Sequence, residues 1–457
     1  MTETIQPETP SRHPVSAYHI LPLLDRTGVA ATLATPLLLL HAPSAAEGTI
    51  ALTGLCFLVH AALLRDWRWL RAAWVPIALV WWAWVMVCSL PVPALGLGPG
   101  GVHSFVESVA TIRFLLFAAA LEHWTLRPAR IRRWLFWIVA AAAAWIALES
   151  LQQLLTGRNL LGYPRGRDGE LTGPFRKPRA GPPLSRILFP AILPLAARLL
   201  ERRRWPAGVG AYALLLGAVL IMVLIGQRMP LMLTGLGLVV AAVLLPRLRP
   251  AVIAAGLAGL VLVGMSAIVS PPTYHRLVLK FSQQMESFPT SQYGQLYARA
   301  WHIGQARPLV GRGFDGFRTG CTMPRYFGPT FDDRQPHGGG ADICAAHPHN
   351  FYAQALDDGG FPGLLLFCAT VLAWLAPLAR GLWRHPAPLR VALFASVLVQ
   401  LWPLASTSDF VNMPMGGWLF LLLGWGLAEA RWPVPSAPAT LAGRAEHRIP
   451  EPVAERP

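Results

Sequence analysis

The residues best equipped for chemistry stand together in His347-Pro348-His349-Asn350, followed after a short helical run by Gly359-Gly360. Imidazole is the side chain best able to accept a proton near neutral pH. Asn350 is a good N-cap, so both histidines precede a helix N-terminus, where free backbone N–H groups and the helix dipole favour an anion. Arginine suits a phosphate anion because its planar fork donates two parallel hydrogen bonds and stays charged at any pH. Such side chains crowd the same part of the chain: Arg276, Lys280, Arg299, Arg307, Arg312, Arg318, Arg325 and Arg334 between residues 271 and 358. A second group, Arg158, Arg165, Arg167, Arg176, Lys177 and Arg179, falls between residues 156 and 183. Arg228 stands alone in the neutral turn Gly226-Gln227-Arg228-Met229-Pro230. Two readings of these cations stay open: a solvated basic surface, or a site that grips an anion.

Other chemistries find less support. His302, His337, His347, His349, Asp332, Asp333 and Asp342 offer metal-binding side chains, but no HExxH or CxxC spacing is present, so neither a metal nor another cofactor is expected. The glycine-rich turn from Gly311 to Phe317 has no downstream lysine at P-loop spacing, which rejects a nucleotide cradle. Cys321 and Cys344 either pair, closing a loop of moderate length, or remain two thiols. Cys56, Cys88 and Cys368 fall in apolar runs and read as packing residues.

The elements that must position these groups are membrane helices. The chain has 457 residues, 54% of them apolar and only 14% charged, which excludes a water-soluble enzyme, a disordered chain, a collagen, a coiled coil and a disulfide miniprotein. Apolar stretches of a length to cross about 30 Å of hydrocarbon occur near residues 27–42, 48–64, 72–90, 103–122, 134–155, 184–200, 207–226, 229–246, 250–270, 359–379, 389–405 and 414–430. The expectation is an all-α integral membrane protein with about twelve transmembrane helices. Within the large loop, Ser291 to Ala306 reads as a further helix with Leu296, Ala300 and Ile303 on one face and Gln295, Arg299 and His302 on another.

Charge sets the orientation. Alternate short loops hold sixteen arginines, among them Arg65, Arg127, Arg202, Arg247 and Arg384, whereas the opposite short loops hold Arg228 alone. Because cytoplasmic loops carry the Arg and Lys excess, residues 1–26 and 431–457 are expected as cytoplasmic tails. Residues 27–270 then form helices one to nine, with a smaller periplasmic loop at 156–183. Residues 271–358 form a large periplasmic loop, and 359–430 form helices ten to twelve. This arrangement fits a bacterial inner membrane, with no cleavable signal peptide ahead of the first span. A connection as long as 271–358 is more often functional than incidental.

In this order the features resemble the O-antigen ligase family of bacterial membrane glycosyltransferases, which also includes O-antigen polymerases. The resemblance covers the topology of the whole chain and is sharpest from Gly226 to Gly363. Its motifs are the outer-turn Arg228, Arg299-Ala-Trp301 with Pro308-Leu-Val-Gly-Arg-Gly313 and Phe317, His347 to Asn350, and Gly360 to Gly363. Gly173-Pro-Phe175 in the smaller loop fits as well. Gln227 and Met229 depart from the Ser and Gly usual beside the outer-turn arginine.

The resemblance implies a GT-C-like, metal-independent transfer of a glycan from undecaprenyl diphosphate to a hydroxyl of the lipid A core of lipopolysaccharide. Donor, acceptor and membrane lipids would be the partners, and nucleic acid would not. It implies that Arg228 and Arg299 bind the diphosphate, that His349 accepts the acceptor proton, and that His347 or Asn350 orients it. Arg176, Lys177 and Arg179 would contact the diphosphate or the acidic core. A polymerase of the same family is the alternative, often marked by Arg-x10-Gly in two outer loops, a spacing met once by Arg158 and Gly169. A transporter or flippase is the second, but it leaves the His/Arg loop without a task.

Overall fold

A computed structural model of the chain describes residues 17–166, 168–327, 340–405 and 409–433. Arg167, Asp332, Asp333, Arg334 and His337 lie outside the described residues, as do most of the two expected tails. The described chain is helical: α1 (Ala17–His41), α2 (Pro43–Leu64), α3 (Trp74–Cys88), α4 (Gly101–Ala110), α5 (Ile112–Ala120), α6 (Ala129–Thr156), α7 (Gly181–Glu201), α8 (Trp205–Ile225), α9 (Arg228–Leu244) and α10 (Arg249–Val269) precede the large loop. That loop carries α11 (Pro271–Tyr274), α12 (Lys280–Glu286), α13 (Gln292–Ala306) and α14 (Gly316–Gly320). After it come α15 (Phe351–Ala379), α16 (Pro388–Gln400) and α17 (Met415–Arg431).

Among the described residues, eight helices are long and apolar enough to cross a membrane, and α3, α9 and α16 are apolar but shorter. Each stretch expected to span coincides with a helix, although the fourth is broken at Thr111 and ends in a π-helical turn, Leu121–Thr125. Lipid-facing surfaces remain uncovered, as on α10, where Leu260 is 71% and Ile268 85% exposed. A soluble protein rarely leaves so apolar a face open.

Helix α17 runs through the centre, with Trp418, Phe420 and Trp425 fully buried. Its Phe420 stacks on Phe114 and meets Trp374 and Phe410 edge-on, so α5, α15 and α17 share one aromatic core. Polar side chains cross-link the helices at their ends. Arg132, counted from the sequence as a loop arginine, is instead 3% exposed and clasps Glu429 at 2.9 Å, because its guanidinium also closes the carbonyls of Leu126, Arg127 and Trp432. Arg113 pairs with Glu47 at 2.5 Å, and Glu149 accepts the Leu160 N–H at 2.9 Å, so these membrane charges act in packing.

Helix α3 gives the bundle its polarity. Its first residue, Trp74, donates to Glu122 at one end, and beyond its last residue Ser89 accepts the Phe314 N–H at the other. The large loop therefore caps one end of the bundle and the π-helical turn sits at the opposite end.

Candidate active site

The histidine segment is held by its own cap. Asn350 Oδ1 accepts from the Tyr352 and Ala353 N–H groups at 2.8 and 3.1 Å, and Nδ2 donates to the Pro403 carbonyl at 2.8 Å. Its amide is thus occupied in starting α15 and fixing it to the end of α16, not turned toward a reacting group. His349, just before the cap, has φ 56°, a left-handed conformation uncommon for any residue with a side chain, although Asn, Asp and His adopt it more often than the rest. Strain of this sort persists only where surrounding contacts impose it. Here they are the His347 ring, centroid 4.5 Å away, and the Tyr293 ring, 5.5 Å away and edge-on.

His347 is half-buried, and neither ring nitrogen meets a protein partner among the described residues. Burial, then the charges of His349 and Arg318, push its imidazole down to about 4, so it stays neutral through the physiological range.

Helix α13 links these histidines to the arginines. Ser291 caps it by accepting the Gly294 N–H, as its sequence predicts. Tyr293 and Tyr297 lie one turn apart on one face; Tyr293 meets His349, and Tyr297 is hydrogen-bonded to the Asn350 side chain. Tyr293 also lies within electrostatic reach of Arg228. Sequence reading passed over both tyrosines because they resemble interfacial aromatics, although their i, i+4 spacing was visible.

Arg228 opens α9 two residues after Gly226, whose φ of 73° lets α8 turn back. Its Nη1 donates to Gln284 Oε1 at 2.5 Å, a neutral amide. The neighbouring Arg276, by contrast, is neutralised by Glu170 at 2.5 Å and Asp168 at 3.7 Å from the smaller loop. Gln227, the departure from the family's usual serine, has a structural use. It accepts the Gly181 N–H at 3.1 Å and donates to the Pro178 carbonyl at 2.7 Å, tying the smaller loop to the turn. Lys177 and Arg179 are exposed on either side of the Pro178 so tied, and Arg176 is exposed as well.

Arg299 is placed otherwise than its expected phosphate contact requires. It is 1% exposed and lies on a different face of α13 from the tyrosines. Its guanidinium donates to the carbonyls of Cys321 and Gly340 and sits 3.9 Å over the Phe327 ring. Cys321 and Cys344 are joined in a disulfide, so Arg299 and that bridge together anchor the segment leading into His347. Beneath them Leu296, Ala300, Ile303, Phe317 and Tyr326 form a separate small core.

A buried acidic group lies about two turns further along α15. Asp358 accepts the Gly316 N–H at 2.9 Å, and Gln354 donates to Asp409 at 2.8 Å. Asp315, at φ 58°, faces them while 3.3 Å from Arg318. Burial first, then the charge of Asp409, raises Asp315 to about 7. Below the cap, Arg186 is 5% exposed and meets only neutral acceptors among the described residues, Gln400 at 3.1 Å and the Pro182 carbonyl at 2.5 Å. Neither the acidic group nor Arg186 was legible in the sequence, since the partners come from distant helices. Among the described residues no three His, Cys, Asp or Glu side chains converge in a metal-binding set.

Residues 187–368, roughly two fifths of the chain, match the family model described as O-Antigen ligase. This supports assignment of the chain to the O-antigen ligase family, and with it an O-antigen ligase or polymerase type of function and a glycosyltransferase-like activity in a multi-pass membrane protein. No curated protein matches the chain.

Proposed function

We propose, starting from this O-antigen ligase domain, that the protein transfers a glycan from undecaprenyl diphosphate to a hydroxyl of the lipid A core. The observation that carries the reading is the convergence of Arg228, Tyr293 and His349, from three separate segments, at one end of the bundle. His349 accepts the proton of the acceptor hydroxyl, whose oxygen forms the new bond to the sugar C1 as the bond from C1 to the diphosphate breaks. Undecaprenyl diphosphate leaves with the electron pair, and Arg228 stabilises the charge that grows on it. No metal ion is needed for this step.

The remaining residues take supporting parts in this reading. His347, neutral and packed on His349, orients the base. Asn350 positions both histidines through the backbone it caps. Arg299 secures the loop through Cys321 and Gly340 in this reading, which its burial and its carbonyl contacts support. Arg176, Lys177 and Arg179 contact the diphosphate or the acidic core from the smaller loop.

The topology proposed with it has twelve spans in a bacterial inner membrane, both termini cytoplasmic and the loop 271–358 periplasmic. The arginine asymmetry of the short loops supports it.

Purified protein supplied with undecaprenyl-linked glycan, and with either rough lipopolysaccharide or a second lipid-linked glycan as acceptor, tests the assignment. Transfer to the lipopolysaccharide is expected. Transfer only to the lipid-linked glycan would make the protein a polymerase, and transfer to neither would reject the reading.

A further inference from the structure

At the end of the bundle opposite the histidines lies a cleft of 720 Å³ that the transfer reaction does not use. We infer that it binds one anionic phospholipid through its phosphodiester headgroup.

The cleft is built from helix ends. Val29 of α1, Phe57 and Leu64 of α2 and Trp124 of the π-helical turn form its apolar wall. Turns of this rare type widen a helix and re-aim side chains, often where a ligand sits. Here the turn sends Trp124 across to α1, where its Nε1 donates to Asp25 at 2.6 Å. A Cβ at Gly28 would overlap that indole ring, so the glycine admits it to the wall.

The polar side of the cleft is charged unevenly. Arg68 is paired with Asp66 at 2.7 Å, and Arg431 with Glu122 at 2.7 Å. Asp25 is engaged by Trp124 and lies 3.6 Å from His60, and His123 lies 3.4 Å from Glu122. Arg127 is different. Its guanidinium lies 4.9 Å over the Trp432 ring, a contact that leaves the N–H edge available, and no carboxylate meets it among the described residues. The segment from Leu126 to Arg133 contains no acid, and its Arg130 and Arg133 do not line the cleft.

An arginine that meets no carboxylate attracts a monoanion with oxygen acceptors, which a phosphodiester supplies. The wall selects a lipid over free phosphate. Leu64 is 45% exposed at the point where α2 ends, so an acyl chain can run from the headgroup along Leu64 and Phe57 into the bilayer. Basic pockets between transmembrane helices take anionic headgroups on the same physical grounds.

Native mass spectrometry of the full chain, delipidated in neutral detergent and supplied with phosphatidylglycerol, phosphatidylcholine or inorganic phosphate, tests the inference. One phosphatidylglycerol is expected to be retained, at least tenfold more tightly than phosphatidylcholine, with no retention of inorganic phosphate. Arg127→Gln, a change at an exposed side chain, is expected to weaken phosphatidylglycerol retention at least tenfold while the detergent melting temperature holds. Arg133→Gln is expected to leave retention unchanged. Equal retention by Arg127→Gln and the parent, equal loss in Arg133→Gln, equal binding of phosphatidylcholine, or equally tight binding of inorganic phosphate would each overturn it.

Discussion

The ring of Tyr293 meets that of His349 edge-on, with centroids 5.5 Å apart and planes at 76°. The contact joins a loop helix to the residue before α15 and holds an imidazole whose own backbone, at φ 56°, is strained. A base so placed acts only if its ring is fixed against its neighbours. His349→Ala should therefore lower transfer by about 10²- to 10⁴-fold, the range for loss of a general base. Tyr293→Ala should lower kcat more than it raises KM, and Tyr293→Phe, which keeps the ring, should restore most of it. Steady-state transfer kinetics read both. If Tyr293→Phe is as impaired as Tyr293→Ala, the hydroxyl and not the ring contact matters.

Arg228 and Arg299 should separate by assay. Arg228 donates to the neutral Gln284, and its removal exposes no buried carbonyl. Arg228→Ala is expected to cost about 10²- to 10³-fold in kcat/KM at an unchanged melting temperature, as for loss of an oxyanion donor. Arg299→Ala leaves the buried carbonyls of Cys321 and Gly340 without their donor, at roughly 1–3 kcal/mol each. Its melting temperature should fall. A stable but inactive Arg299→Ala would return that residue to the phosphate.

The bridge between Cys321 and Cys344 spans 23 residues of sequence. Closing a loop of this size stabilises a fold by roughly 3 kcal/mol. Cys321→Ser combined with Cys344→Ser should make the segment around Gly340 exchange its amide hydrogens faster, while α6 to α10 keep their protection. Hydrogen exchange followed by mass spectrometry resolves the two regions.

Two groups tie stability to pH in opposite senses. Asp315, raised to about 7 from an ordinary value of 3.8, holds a proton that the unfolded chain releases. Its contribution is present below pH 3.8 and is lost as pH rises through 7. His347, lowered to about 4 from 6.5, refuses a proton that the unfolded chain takes up. Its contribution is present above pH 6.5 and is lost as pH falls through 4. Asp315→Asn should thus be more stable than the parent at pH 8, by up to about 4 kcal/mol, with the advantage vanishing near pH 4. Melting curves across that window check it. His347→Asn should leave the acidic limb of the rate profile where it is.

Gly360 breaks α15 with φ 66° and ψ −165°, a region open to glycine alone, and a Cβ there would stand 2.5 Å from the Pro308 carbonyl oxygen. Next to it the Arg312 and Gly313 N–H groups donate to the Asp357 and Asp358 carbonyls at 2.7 and 3.0 Å. The glycine-rich turn therefore docks on the end of the histidine helix. Gly360→Ala should cost about 1–3 kcal/mol and reduce transfer by misplacing His349. A melting temperature equal to the parent's would show that the kink is not needed.

Much of this was written along the chain, because some of its determinants are local. Apolar stretches read directly as helices; Ser291 and Asn350 announced the caps, and Gly359-Gly360 the break that the structure places at Gly360. The resemblance to the O-antigen ligase family was equally legible, and the family match at residues 187–368 supports it. What the chain alone left open depended on partners far away in sequence. Whether an arginine is bound to protein or available to an anion is settled by what stands opposite it, so Arg299, Arg132 and Arg228 look alike on paper, yet the first two are buried against protein acceptors and Arg228 is only half-buried. Tertiary packing alone decided that Arg299 closes carbonyls, that Tyr293 braces His349, and that Arg127 meets no acid among the described residues. A side chain's type fixes its charge and reach, whereas its dielectric surroundings and neighbours come from helices brought together only by folding.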